Sequence, residues 1–174
     1  MIYILIGNSC SGKSTARQYI EKKYSVPGFE VSDFIRKTGA RFPNLTIAQI
    51  FSKLGTTFVA KEIAEIIKEN PVAVISGFRS IEEIHYIKQI GDCTTIGIYS
   101  SSKECFKRSL NRKRTDYPKN FFDFYKNTIC TEYSMGLADI FLKGVDYFFD
   151  NDKKNIVELY DFLDSVIKKQ IKLK

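Results

Sequence analysis

The chain has 174 residues, 44% hydrophobic and 14% aromatic, which excludes a disordered polymer and suits one globular domain with a sizeable core. Its net charge of +7 points to an anionic partner, whether a small phosphate compound, a nucleic acid or a membrane surface. Four scattered cysteines, no CxxC pair and a single histidine, His85, argue against a zinc site or a disulfide framework; with no membrane-length apolar window, the expected setting is soluble, reducing and cytoplasmic.

In chain order, Ile2–Ile6 is a short apolar run without polar alternation, the pattern of a strand buried on both faces. It runs into Gly7-Asn8-Ser9-Cys10-Ser11-Gly12-Lys13-Ser14, a match to the Walker A pattern G-x-x-x-x-G-K-[ST]. Glycines let the backbone curl so that successive N–H groups face a phosphate, and the helix that follows aims its positive dipole end there. Lys13 reaches the β- and γ-phosphates, and the Ser14 hydroxyl ligates Mg²⁺. The helix-capable TARQYIEKKY follows, as that reading requires.

Phe29–Ser32 reads as a second strand, with Asp33 and Arg36 beyond it, three residues apart on one helix face. Asn44-Leu45-Thr46 starts a helix through Lys53 that Gly55 ends, and Val59, Ile63, Ile66 and Ile67 mark the apolar stripe of another. Val72–Ser76 is the third strand and leads into Gly77-Phe78-Arg79. In an open parallel sheet ligands bind beyond the carboxyl ends of the strands, so Arg36 and Arg79 fall on the same rim as the P-loop. A guanidinium fork suits phosphate; the competing readings are a surface ion pair for Asp33–Arg36 and a helix-start residue for Arg79. His85 lacks a catalytic neighbour in sequence and reads as structural or surface.

Thr94–Tyr99 is the fourth strand. The basic run Lys107 to Asp116 places Arg108 and Arg112 four residues apart on one helix face, with Arg114 where the pattern breaks before Pro118. A basic segment closing over a γ-phosphate supplies charge and excludes water; the alternatives are a solvated face or an RNA-binding patch. Phe121, Phe122, Phe124 and Tyr125 read as core packing ahead of base stacking. Asp146–Phe149 is the fifth strand, and Ile156, Leu159, Tyr160, Leu163, Val166 and Ile167 mark a final helix. Strands alternating with helices define parallel βαβ units in a three-layer α/β fold. No NKxD-type guanine signature occurs, which disfavours a GTPase.

The segments GNSCSGKST, VSDFIRK, ISGFRSIEEI, CFKRSLNRKRTD, ADIFLKG and DYFFDND, in that order, resemble the nucleoside-monophosphate-kinase-like P-loop kinases. The likeness is to the adenylate-kinase-like and dephospho-CoA-kinase-like proteins, including an archaeal-type group with a "DGIRS" motif. The resemblance implies a single P-loop kinase domain over 1–174. It implies a five-stranded parallel sheet in the order 2-3-1-4-5, helices on both faces, an acceptor-binding helical segment about 33–70 and a small lid about 112–121.

It further implies that Gly7, Asn8, Ser9, Cys10, Ser11, Gly12, Lys13, Ser14 and Thr15 hold the phosphates of ATP, with Mg²⁺ on Ser14. Arg36 and Arg79 match positions that grip the acceptor's phosphate. Arg108 or Arg112 matches the lid arginine near ATP, Arg114 is a further candidate, and Asn151 lies in the loop bordering the adenine. Asp33 matches an aspartate that activates an acceptor hydroxyl, or else it pairs with Arg36. The implied activity is ATP-dependent phosphorylation of a small phosphorylated acceptor, first a nucleoside or deoxynucleoside monophosphate. The alternatives are dephospho-CoA-kinase-like hydroxyl phosphorylation and a nucleotide-binding regulatory or nucleic-acid-associated NTPase. Two departures stand out: Ser76 replaces the aspartate that usually ends the third strand, and Thr128 and Ile129 replace an Arg-Asp pair ahead of Glu132, with Lys126 a possible substitute charge.

Overall fold

The computed structural model describes residues 1–111 and 118–172, and the side chains of these except 47, 48 and 170–172. Five parallel strands, β1 (Ile2–Ile6), β2 (Gly28–Glu30), β3 (Ala73–Ser76), β4 (Cys93–Tyr99) and β5 (Tyr147–Asp150), form one sheet in the order β2-β3-β1-β4-β5. The sheet order implied by the resemblance is the observed one.

Alternate residues of β1 build the two cores. Ile2, Ile4 and Ile6 face α2 (Val31–Arg41), α3 (Ile47–Leu54), α4 (Phe58–Ile67) and α5 (Ile81–Lys88). Tyr3 and Leu5 face α1 (Lys13–Tyr24) and α9 (Ile156–Lys172). The period-two geometry of a strand divides side chains between faces, and burial on both explains the unbroken apolar run.

After α6 (Ser102–Leu110) the described chain resumes ahead of α7 (Phe121–Phe124). That helix runs through two π-helical segments, Tyr125–Cys130 and Tyr133–Leu137, into α8 (Ala138–Lys143). Gly136 breaks the second segment at φ 111°, and a Cβ there would lie 2.9 Å from the carbonyl oxygen of Arg79. The helix therefore presses directly on the loop after β3. Phe124 and Ile129 from this stretch close a third small cluster with Cys10 and Cys105, so Phe124 is core, whereas Phe122 is exposed.

Four local expectations shift. The second strand stops at Glu30, and Val31 and Ser32 already belong to α2, whose Val31 plugs the core from the helix. Val59, Ile63 and Ile67, four apart, form the buried stripe of α4, while Ile66 turns to solvent. On α9 the stripe begins at Leu159; Ile156 is exposed at the mouth of a cavity beside the P-loop. The helix read from Asn44 begins at Ile47, with a Thr46–Gln49 capping box, and Gly55 caps its end as expected.

Candidate active site

The strand–loop–helix unit of β1 and α1 sets the site. Gly7 lies against β4: a Cβ on it would stand 2.1 Å from the carbonyl oxygen of Ile98. Cys10 adopts a left-handed φ of 66°, and Gly12 takes φ 114° as the N-cap of α1. A Cβ on Gly12 would come within 2.5 Å of Asn151 Nδ2, so a side chain is excluded by both conformation and space.

Gly12 offers α1 no capping oxygen, and the first turn holds no acid. By contrast Thr46, Ser80 and Ser101 cap α3, α5 and α6 with side-chain hydroxyls. The first N–H groups of α1 are thus left to an anion, with the helix dipole behind them. Ser11 Oγ in the same loop is buried without a hydrogen-bond partner, a donor suited to a phosphate oxygen. Both features fit the polyphosphate of ATP.

Lys13 is buried, and its ammonium donates to the carbonyl oxygen of Asn8 at 2.7 Å. Burial, reinforced by the charge of Arg79, pulls its pKa down to about 8, against the opposing pull of Glu132 and Glu30.

Glu132 is the hub beside this loop. Its carboxylate accepts from the Ser9 N–H at 2.9 Å, from Ser9 Oγ at 2.6 Å and from Arg79 Nη2 at 2.7 Å. Arg79 Nη1 donates to the carbonyls of Gly77 and Phe78. The guanidinium read as an acceptor clamp is therefore anchored beside the P-loop. Glu83 supports it from below, accepting from the Arg79 and Ser80 N–H groups, and burial raises the Glu83 pKa to about 6.

On the other side, Arg108 brackets two loops. Its Nη1 donates to Ser11 O and Ser100 Oγ, and its Nη2 donates to Asn151 O at 2.8 Å. Asn151 Nδ2 donates to Ser11 O at 2.7 Å. Gly12, Thr15, Arg108, Asn151, Lys154 and Ile156 line a cavity of about 240 Å³ that opens from the loop. Arg108 and Asn151, both singled out in the sequence, thus share this cavity.

Asp33 and Arg36 lie apart from this network. They pair with each other on the first turns of α2, both more than half exposed. Arg112 and Arg114 lie outside the described residues, as does most of the segment read as a lid. Cys105 sits in the buried cluster behind the loop, where burial pushes its thiol up to about 12; it is packing. Among the described residues the cysteines are free, no cluster of three metal-binding side chains occurs, and no helix is long and apolar enough to cross a membrane.

Sequence reasoning left the hub unassigned. Glu132 lies between two π-helical segments, where helical spacing no longer predicts which face a residue presents. Gly136, held by the close approach to Arg79, was the visible signal. Lys154 and Ile156 carried no signal beyond following Asn151.

The sheet order, the cradle at the carboxyl end of β1 and the uncapped α1 define a P-loop protein of the nucleoside-monophosphate-kinase-like class, built on the fold of small-molecule kinases. No family model matches the chain. It is 30% identical over 161 residues to a UPF0200 protein of Pyrobaculum aerophilum, covering 90% of this chain and 91% of that one, and it belongs to the UPF0200 family. It is also 31% identical over 152 residues to a shikimate kinase of Aquifex aeolicus, covering 80% and 84% of the two chains. Among solved structures, the shikimate kinase of Aquifex aeolicus superposes with a TM-score of 0.62 at 24% identity over 98% of both chains. That of Bacteroides thetaiotaomicron gives 0.66 at 16%, again over 98% of both chains, a likeness of fold.

Proposed function

We propose that this protein is an ATP-dependent phosphotransferase acting on a small phosphorylated acceptor, first a nucleoside or deoxynucleoside monophosphate. The observation that carries the reading is Lys13, buried and held at the uncapped start of α1 inside a loop of anion-facing N–H groups. A buried ammonium with no carboxylate bonded to it is costly unless a polyanion uses it.

Under this reading Lys13 and the first N–H groups of α1 bind the β- and γ-phosphates, and Ser11 Oγ donates to a phosphate oxygen. Arg108 and Asn151 shape the cavity for the base. Ser14 would hold Mg²⁺, which would supply charge neutralisation at the phosphates. Arg79, fixed by Glu132, carries positive charge beside the transferring group. Catalysis by such a site is positioning and preorganised electrostatics.

A second reading has a hydroxyl acceptor without need of a phosphate clamp. The exposed carboxylate of Asp33 favours it, as an acceptor of the hydroxyl proton, and so does the relative described as a shikimate kinase. A coupled ADP-release assay with MgATP separates the two. The panel holds nucleoside and deoxynucleoside monophosphates, dephospho-CoA and shikimate. Acceleration by a monophosphate supports the first reading. Acceleration by a hydroxyl acceptor alone replaces it with the second, and no acceleration by any acceptor favours a nucleotide-binding protein without transfer.

A further inference from the structure

Three donors beside the phosphate cradle are already held by an anion of the chain's own. The Ser9 N–H and Ser9 Oγ donate to the Glu132 carboxylate at 2.9 and 2.6 Å, and Arg79 Nη2 donates to it at 2.7 Å. The Ser9 N–H carries one hydrogen, so it serves Glu132 or a phosphate oxygen and not both. Arg79 Nη1 is spent on the carbonyls of Gly77 and Phe78, which leaves Nη2 facing the carboxylate. A backbone N–H, a hydroxyl and a guanidinium together make a set that receives a phosphoryl oxyanion. Glu132 fills that set and is itself only 7% exposed.

The place is next to the lysine. Lys13 holds the carbonyl of Asn8, the residue before Ser9, and both Arg79 and Glu132 act on its charge. Glu30, the other acid felt there, is engaged elsewhere: it accepts from Ser76 Oγ at 2.6 Å and stands 3.9 Å from Arg17 Nε. A phosphate arriving at Lys13 therefore meets the Glu132 carboxylate, and two anions repel strongly in a buried setting. The helix that carries Glu132 lets it withdraw. Two π-helical segments, Tyr125–Cys130 and Tyr133–Leu137, flank it. Their bonds close at i+5, and relaxing one to α geometry turns the following residues by about one position, roughly 100°. Gly136, at φ 111°, already breaks the second segment.

Resting on the phosphotransferase reading above, we infer that Glu132 is a built-in stand-in for a phosphate: it occupies the oxyanion subsite of Ser9 and Arg79 in the empty protein, and a substrate phosphate displaces it. The stand-in keeps the three donors aimed at one point, so the phosphate finds them ordered. It also closes the subsite to weakly bound anions, because the carboxylate must leave first. With the withdrawn form at about a tenth of the population, apparent phosphate affinity is lowered about tenfold. The displacing group is the γ-phosphate of ATP or the acceptor's own phosphate; the oxyanion chemistry is the same.

Calorimetry on the full chain and on Glu132→Gln tests this with three probes: ADP, the non-hydrolysable imido analogue of ATP, and orthophosphate added to the imido-analogue complex. Glu132→Gln is expected to bind the imido analogue or the added orthophosphate about tenfold more tightly, with ADP affinity held within about twofold. Tightening of the imido analogue names the γ-phosphate as the displacing group. Tightening of orthophosphate alone names the acceptor's phosphate. Hydrogen exchange on the unmodified protein gives a readout independent of the variant's folding. Residues 125–137 should exchange faster once the imido analogue and orthophosphate are bound, because the tether to Ser9 is released. Equal or weaker binding of both probes in Glu132→Gln, or added protection of 125–137 on binding, overturns the stand-in. Glu132 is then a plain brace for Arg79, and the phosphotransferase reading stands. If the unmodified protein binds neither ADP nor the imido analogue, that reading falls and the stand-in falls with it.

Discussion

At the carboxyl end of the sheet, the P-loop side is buried and cross-braced, whereas the first turns of α2 carry an exposed and simply paired Asp33 and Arg36. Glu132 joins Ser9 to Arg79, Arg108 and Asn151 meet at the Ser11 carbonyl, and the Lys13 ammonium holds the Asn8 carbonyl, through hydrogen bonds at 2.6–3.3 Å, with Lys13, Glu132 and Asn151 buried. Asp33 and Arg36 touch only across one helical turn, in solvent. The contrast teaches where the binding energy is prepaid. A cradle whose donors are fixed before a phosphate arrives loses little entropy on binding, and its charge acts in a dry setting. The Asp33–Arg36 pair on α2 has no such bracing.

The largest effect should come from removing the charge at the centre of the braced side. Lys13→Ala should lower phosphoryl transfer about a thousandfold, ~4 kcal/mol, as single charge-stabilising donors do. Initial-rate ADP release measures it, and a loss under tenfold would mean that the cradle works without its lysine.

Next in size, Glu132→Ala removes the common acceptor of Ser9 and Arg79. Breaking one side of a buried pair costs about 3 kcal/mol, read as a fall in urea midpoint and melting temperature. Glu132→Gln, which keeps the shape and one acceptor, should recover part of it. A midpoint unchanged in Glu132→Ala would show that the brace is not what holds the loop.

A smaller effect follows from pH. Lys13 titrates at about 8 in the folded chain and near its ordinary 10.5 when unfolded. Between those values the unfolded chain binds more protons, so the Lys13 contribution to stability rises with pH from about 8 to 10.5. Nucleotide affinity should move the opposite way, because the ammonium is lost as pH passes 8; the drop approaches tenfold per pH unit. Calorimetry and thermal melts on wild type and Lys13→Arg check the pair of opposite slopes, and a flat affinity from pH 7 to 9 would place the lysine pKa elsewhere.

The smallest stability change should be on the open side. Arg36→Ala breaks an exposed ion pair and should shift stability by under ~0.5 kcal/mol. If α2 receives the acceptor, the same variant raises the acceptor's KM about tenfold, roughly 1.4 kcal/mol of lost binding, and leaves the KM for ATP unchanged. Equal effects on both substrates would erase the division into two sides.

Much of the braced side was legible in the sequence because its determinants are local. β1 and the P-loop are one contiguous run, and the sheet order followed from the resemblance of motifs in their order. Arg108 was read from the basic run and Asn151 from the resemblance, and the fold brings both to the Ser11 carbonyl. What escaped reading is non-local. Glu132 meets Ser9 across 123 positions of sequence and rides on π-helical turns. Glu30 meets Ser76 only through strand register, which the apolar runs do not specify at an edge strand three residues long. The overlong second strand hid it further: with Val31 and Ser32 counted as strand, Glu30 read as mid-strand rather than as its carboxyl end.

Phosphorus NMR following the γ-phosphoryl group of MgATP, with and without the acceptor that raises ADP release, tests the central claim most directly. The account predicts a new phosphoester resonance on the acceptor, growing in step with ADP and absent in Lys13→Ala. Orthophosphate as the sole product, formed at one rate whether or not acceptor is present, would contradict it and leave a nucleotide hydrolase.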